Sequence, residues 1–352
     1  MSSTSALRHV FVGGYTEPEG NAVGVSSLLN ERSAKRVRLE QVSTMELTSP
    51  TWLVRHPGLP VLLATSEASP GRISSLRWDD DGSLTLLSTV ETAGDGACHI
   101  AVTDDGAYAI VSSYRSGVLS VVPISATGSL SEVCDTLEFV GSGPVTDRQE
   151  GPHAHQVVIH GDEILSCDLG ADQIYRLRLD EGVLVQAGDP VRLPAGFGPR
   201  HLVVAQDHLV VAGELSGELW LAARDGDGWR EAQIIATSTR EGLVQPSGIA
   251  TDGTRVYVAN RGVDTISVFD VDGPAGTLTP VAEFGCGGAW PRDISLDHGL
   301  LWVSNERSDT VAVFEVSPLP PVRPAVELAL PTPTCVVLVH DLTATEQKEA
   351  GA

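Results

Sequence analysis

The chain has 352 residues, 42% hydrophobic and 20% charged, enough to bury a core and unlike the composition of a disordered polymer. Its net charge of −23, with Lys35 and Lys348 as the only lysines, opposes binding to nucleic acid and to anionic membrane surfaces. No run approaches the 18 or so apolar residues of a membrane helix, so neither a nucleic acid nor a membrane is expected as a partner.

The first residues run directly into the alternation His9-Val-Phe-Val12, without a basic segment followed by an apolar one. No secretory signal is read, and a cytoplasmic location is expected. The segments from His9 to Tyr15 and from Val23 to Leu28 read as strands. From Ser49 onward one sentence of sequence recurs. Ser49-Pro-Thr-Trp-Leu-Val54 is followed by Val61 to Glu67 and Ile73 to Arg77. Gly96-Ala-Cys-His-Ile-Ala-Val102 leads to Ala109 to Tyr114 and Leu119 to Val122. Gly151-Pro-His-Ala-His-Gln156 leads to Ile164 to Asp168 and Gln173 to Leu177. Gly198-Pro-Arg-His-Leu202 leads to Leu209 to Glu214 and Glu218 to Leu221. Gln245-Pro-Ser-Gly-Ile-Ala250 leads to Val256 to Arg261 and Thr265 to Phe269, and Trp290-Pro-Arg-Asp-Ile-Ser295 to Leu301 to Glu306 and Thr310 to Phe314. A seventh opening, Thr334 to Val339, comes last and has no partners after it.

The openings at Pro50, Ala97, Pro152, Pro199, Pro246, Pro291 and Pro333 recur about every 42–55 residues. That period fits four short strands per repeat, and the segments are β-branched and bounded by turns such as Asp104-Asp-Gly106. The expected fold is all-β: a seven-bladed β-propeller with four-stranded antiparallel blades. The N-terminal strands lack a first strand and the C-terminal strand lacks the rest, so the two ends should share one blade and close the ring. Residues 1–341 are read as one domain and 342–352 as a polar C-terminal tail.

In such a disc the innermost strand of each blade lines the channel. The segment entering it and the loop joining the second and third strands therefore lie at the same end. The entries supply His99, His153, His155, Arg200, His201, Arg292 and Asp293; the loops supply Tyr15, Glu67, Tyr114, Asp168, Glu214, Arg261 and Glu306. Arg200 and Arg292 either brace neighbouring carboxylates or recognise a substrate carboxylate or phosphate, for which the guanidinium fork is suited. Arg261 either stabilises its turn or joins them, and Glu214 is a base or an arginine partner. His153 and His155 stand side by side at the channel mouth. Their H-x-H spacing has no third ligand at a diagnostic distance, so no metal is expected. Phosphate-binding loops, dinucleotide fingerprints and nucleophile elbows are missing from the sequence, and no cofactor is expected. The five cysteines form no C-x-x-C pair and are read as reduced, buried thiols.

These motifs resemble the seven-bladed β-propeller lactonases, a family that groups bacterial propeller-type 6-phosphogluconolactonases with fungal carboxymuconate lactonizing enzymes. The resemblance runs from Phe11-Val-Gly-Gly-Tyr-Thr16 to Phe314 and is most specific at Gly151 to Gln156, Asp168 to Asp172, Gly198 to Leu202, Glu214 to Ser216, Asn260 to Gly262 and Pro291 to Asp293. Gly213 departs from it, standing where Asn commonly precedes the Glu-Leu pair. The resemblance implies a site built on His155, Arg200, Glu214 and a further arginine, either Arg261 or Arg292. It implies hydrolysis of a sugar lactone, with 6-phosphogluconolactone foremost. His155, or a Glu214 whose pKa burial has raised, would activate water, and Arg200 would stabilise the oxyanion. His99, His153, His201, Arg261, Arg292 and Tyr15 are expected to bind the small anionic substrate. The alternatives are a cycloisomerase acting on a muconate-type dicarboxylate and a non-catalytic binding scaffold.

Overall fold

A computed structural model describes residues 7–30 and 39–340; the tail expected over 342–352 lies outside the described residues. Seven sheets stand in a ring, numbered here after the sequence repeats. Blade 1 runs from Leu53–Arg55 to Leu84–Glu91, blade 2 from Ala97–Val102 to Asp135–Glu138, and blade 3 from Ala154–His160 to Val183–Gln186 with a short extra strand, Val191–Arg192. Blade 4 covers Pro199–Ala205 to Gly228–Ala236, blade 5 Val244–Thr251 to Thr277–Gly285, and blade 6 Pro291–Asp297 to Val326–Ala329. In blade 7 the last strand, Pro333–His340, pairs antiparallel with the first, Leu7–Gly14, which continues to Gly24–Asn30 and Leu39–Glu46. The ring closes as the two incomplete ends predict, because the C-terminal strand finds its partner in the N-terminal one.

Sequence pattern and position in the blade agree. The second strands, such as Val61–Ser66 and His208–Gly213, are buried throughout and read as near-continuous apolar runs. Outer strands such as Gly228–Ala236 face solvent on one side and alternate. Each apolar cluster spans two neighbouring blades: Tyr257 and Ile266 of blade 5 pack with Leu301 and Phe314 of blade 6. Blade 7 is held on both sides, by Val10 and Val12 against Trp302 and by Phe11 against Leu53 and Leu62. Truncating one of these aromatics to alanine should cost about 3–5 kcal/mol. Cys98, Cys167, Cys286 and Cys335 are buried free thiols, as read from the sequence, whereas Cys134 is exposed, just ahead of the outer strand Asp135–Glu138 at the rim of blade 2.

One local feature positions the site. The inner strands of blades 2 to 6 each slip register at their channel end, between Ala97 and His99, Ala154 and Val157, Pro199 and His201, Pro246 and Ile249, and Pro291 and Asp293. Consecutive residues of a regular strand point to opposite faces, and a bulge re-aims them. Arg200 and His201 are thus both buried, as is Asp293.

Candidate active site

Two charge networks meet in the channel mouth. The first is centred on Glu214, which follows the second strand of blade 4 and is 4% exposed. The glycine before it is dictated by packing: a Cβ on Gly213 would lie 2.7 Å from the Phe197 ring. Arg148 Nη2 reaches Glu214 Oε1 at 2.5 Å, and Arg261 Nη2 reaches Oε2 at 2.6 Å. Arg200 Nε approaches Oε2 to 3.1 Å as an ion pair without hydrogen-bond alignment. Burial alone would raise the carboxyl's pKa; Arg261, Arg200 and Arg148 together hold it well below the usual carboxylate range. The expectation of a general-base Glu214 with a raised pKa is therefore corrected. A carboxylate shared by three guanidiniums is an anchor, not a proton acceptor.

The second network is centred on Arg292, whose Nη2 donates to the Tyr15 hydroxyl at 2.6 Å and to Glu67 at 3.3 Å, while Nη1 donates to Glu306 at 3.2 Å. The guanidinium also lies over the Tyr15 ring, 4.6 Å from its centroid. Arg292 thereby ties blades 6, 1 and 7 together and does not pair with the adjacent Asp293. Four guanidiniums, Arg148, Arg200, Arg261 and Arg292, face the three carboxylates of Glu67, Glu214 and Glu306.

Between the networks lies a cluster of neutral imidazoles. His155 and His201 have centroids 5.1 Å apart, His99 and His201 5.7 Å, and Trp52 covers His99 at 4.1 Å. Burial and then the positive charge of Arg200 push their pKa values down, His99 to about 3 and the other two well below the usual histidine value. Arg200 is itself lowered, to about 10, by burial and by Arg261, and stays charged at neutral pH. The Cys98 thiol donates to the His155 carbonyl at 3.3 Å, and burial raises its pKa, so it is no nucleophile.

Of the residues expected from sequence, His155, Arg200, His201 and Arg292 line the central pocket, joined by Asp293, Trp52 and Thr334. Glu214, Arg261, Tyr15 and His99 stand behind them and hold them. His153 is turned away: its Nδ1 lies 2.9 Å from the Tyr114 carbonyl, its ring stacks on Tyr114 at 4.5 Å, and Nε2 is 3.4 Å from Glu150. Asp168 accepts the amides of His153, Gly170 and Ala171, and Asp172 those of Gly196 and Gly198, so this paired motif staples loops. Sequence reasoning missed Arg148. It sits between blades 2 and 3, where the openings at Ala97 and Pro152 stand farther apart than any others, and that long interval was the available signal. The insertion is pinned by fully buried Gln149, which donates to Asp172 at 2.7 Å and to the Leu169 carbonyl at 2.8 Å.

Residues 9–338 match the model of the family described as lactonase, 7-bladed beta-propeller. A 6-phosphogluconolactonase of Bacillus subtilis is 30% identical over 299 residues, covering 82% of this chain and 84% of the relative. The structure of a Pseudomonas aeruginosa periplasmic gluconolactonase superposes with a TM-score of 0.87 at 27% identity, covering 95% of this chain and 99% of the other. A Bacteroides fragilis protein provisionally named 6-phosphogluconolactonase gives a TM-score of 0.87 at 26% identity, with 96% and 99% coverage. The chain belongs to the seven-bladed β-propeller lactonase family and is a lactone-hydrolysing enzyme.

Proposed function

We propose that the chain hydrolyses a sugar lactone carrying one anionic group, with 6-phosphogluconolactone to 6-phosphogluconate as the foremost reaction. The observation that carries this is the uneven split of charge across the mouth. On one side three guanidiniums share Glu214, leaving two positive charges uncompensated. On the other side Arg292 is outnumbered by Glu67 and Glu306. An anion therefore belongs on the Glu214 side, with Arg148 at the rim, one-third exposed, as its first contact. Carboxylates accept hydroxyl hydrogens, so the Arg292 side suits the polyol end of a sugar. A muconate-type dicarboxylate would press its second anion against Glu67 and Glu306, which disfavours the cycloisomerase reading.

In this mechanism a water attacks the lactone carbonyl and gives its proton to His155, which lines the pocket and whose Nδ1 is engaged by no hydrogen bond among the described residues. Arg200, held charged by Glu214, faces the oxygen on which negative charge grows. A donor of this kind is commonly worth about 2.7–4 kcal/mol of barrier. The five free thiols support placing the reaction in a reducing compartment such as the cytoplasm. The test is a pH-stat assay of purified protein against phosphorylated and unphosphorylated sugar lactones and a muconate. Fastest turnover of the phosphorylated lactone is expected. Conversion of the muconate without hydrolysis of any lactone would overturn the assignment.

A further inference from the structure

Opening the lactone needs a second proton transfer that the roles assigned so far leave unfilled. As the tetrahedral intermediate collapses, the ring oxygen leaves with an electron pair and must be protonated. We propose that Asp293 is the general acid that supplies this proton, a proposal that rests on the lactonase reading above. Asp293 is 6% exposed and lines the same pocket as His155, Arg200, His201 and Arg292. The register slip between Pro291 and Asp293 aims it there. Among the described residues its carboxyl group has no hydrogen bond or ion pair to another side chain and meets only the Ile294 backbone amide, whereas Glu67, Glu214 and Glu306 are each paired with arginine. The neighbouring blade is carved to hold it: a Cβ on Gly248 would come within 2.9 Å of Asp293 Oδ1.

The groups facing Asp293 make the acid role specific. From across the pocket come Arg200 and the neutral His155 and His201, and from its own strand Arg292. Blade 5 presents Gly248, and blade 7 presents Thr334 and the protonated Cys335 thiol. Burial outweighs the two arginines and pushes Asp293 up to about 7, while Glu214 stays ionised. Asp293 is thus the pocket carboxyl able to hold a proton near neutral pH and still release it. With Asp293 protonated, the four guanidiniums outnumber the remaining three carboxylates by one, which suits a bound anion. By linkage the bound anion in turn strengthens the proton's hold.

The proton count closes. Water attacks, and its proton goes to His155. The oxyanion re-forms the carbonyl, the acyl C–O bond breaks, and the ring oxygen takes the Asp293 proton as it becomes a hydroxyl. The new carboxylic acid ionises to solvent, and the proton on His155 returns to Asp293 through water.

The test compares wild type with Asp293→Asn on two lactones, a sugar lactone with an alkoxide leaving group and an aryl-ester lactone whose phenoxide leaves without help. The variant should lose about 10²-fold or more on the sugar lactone and less than about tenfold on the aryl lactone. In the wild type, kcat/KM on the sugar lactone should fall as pH rises through about 7, and that limb should vanish in the variant. Folding is checked by Tm at pH 8, which should be no lower in the variant. Equal losses on both lactones, or a retained limb, would overturn the acid role while leaving the lactonase reading standing. A wild type inactive on every lactone would overturn both.

Discussion

The two charge networks in the mouth are inversions of each other. Around Glu214 one anion is shared by three cations; around Arg292 one cation is shared by two carboxylates and a phenol. Apart from Arg148 at the rim both are buried, and both knit distant blades, so as cross-links they are interchangeable. As chemistry they are not. The first leaves positive potential for an anion and an oxyanion, and the second leaves hydrogen-bond acceptors for hydroxyls. One pocket thereby acquires two ends with opposite appetites, and a substrate's orientation follows from charge alone.

The largest expected effect comes from removing the first hub. Glu214→Gln leaves three guanidiniums close together without their anion. Breaking a buried ion network in this way typically costs about 3–5 kcal/mol. Urea unfolding should show that loss at pH 7, together with a fall in kcat/KM of at least about 10²-fold, because Arg200 loses the partner that orients it. Since Glu214 is held below the usual range, the stability it contributes is present at neutral pH and lost only as pH falls into the acid range. A variant as stable as wild type would show that the hub is not the anchor described.

Asp293→Asn should act with the opposite sign. An aspartate raised to about 7 in the folded state, against about 3.9 unfolded, makes the native state the better proton binder. Its stability contribution is present below about pH 4 and lost as pH rises through about 7, a change of roughly 4 kcal/mol. Asparagine cannot ionise and escapes that loss. Urea unfolding at pH 5 and pH 8 should therefore show a smaller decline with pH in the variant and a more stable variant at pH 8. Parallel declines in the two proteins would place Asp293 among ordinary ionised carboxylates.

Fold and site were not equally legible in the sequence. The propeller was legible because its determinants are local: proline- or glycine-marked openings, apolar second strands and turn residues at a steady interval. The neighbourhood of His155, Arg200 and Glu214 was legible for the same reason, since channel-end positions follow from the repeat. The state of Glu214 was not, because it depends on Arg148, Arg200 and Arg261, which come from three separate stretches of chain. Arg148 itself lies in the one insertion that breaks the period. His153 misled because residues two apart share a face only within a regular strand. Here the strand begins at Ala154, and its register slips before Val157.

The rim should respond more gently. Arg148 touches Tyr114 and Glu214 and is the exposed member of the first network. Arg148→Ala should raise KM for a phosphorylated lactone about tenfold, near 1.4 kcal/mol, and leave the unphosphorylated lactone within about twofold. An equal rise for both substrates would move the phosphate elsewhere and undo the contrast between the two ends.

His153 supplies the smallest effect and the sharpest boundary. It lies beside His155 in sequence, yet its ring packs against Tyr114 outside the central pocket. His153→Phe keeps that stack and removes one hydrogen bond to the Tyr114 carbonyl, which should cost about 1 kcal/mol of stability. Because Tyr114 also accepts from Arg148, the side chain acts on the site at two removes, and kcat and KM should both stay within about twofold of wild type. His155→Phe, one residue pair along, should instead lose at least about 10²-fold in kcat, because it removes the proton acceptor itself. If the two variants behaved alike, the distinction between residues that line the pocket and residues that hold its walls would fail at the place where it is drawn most finely.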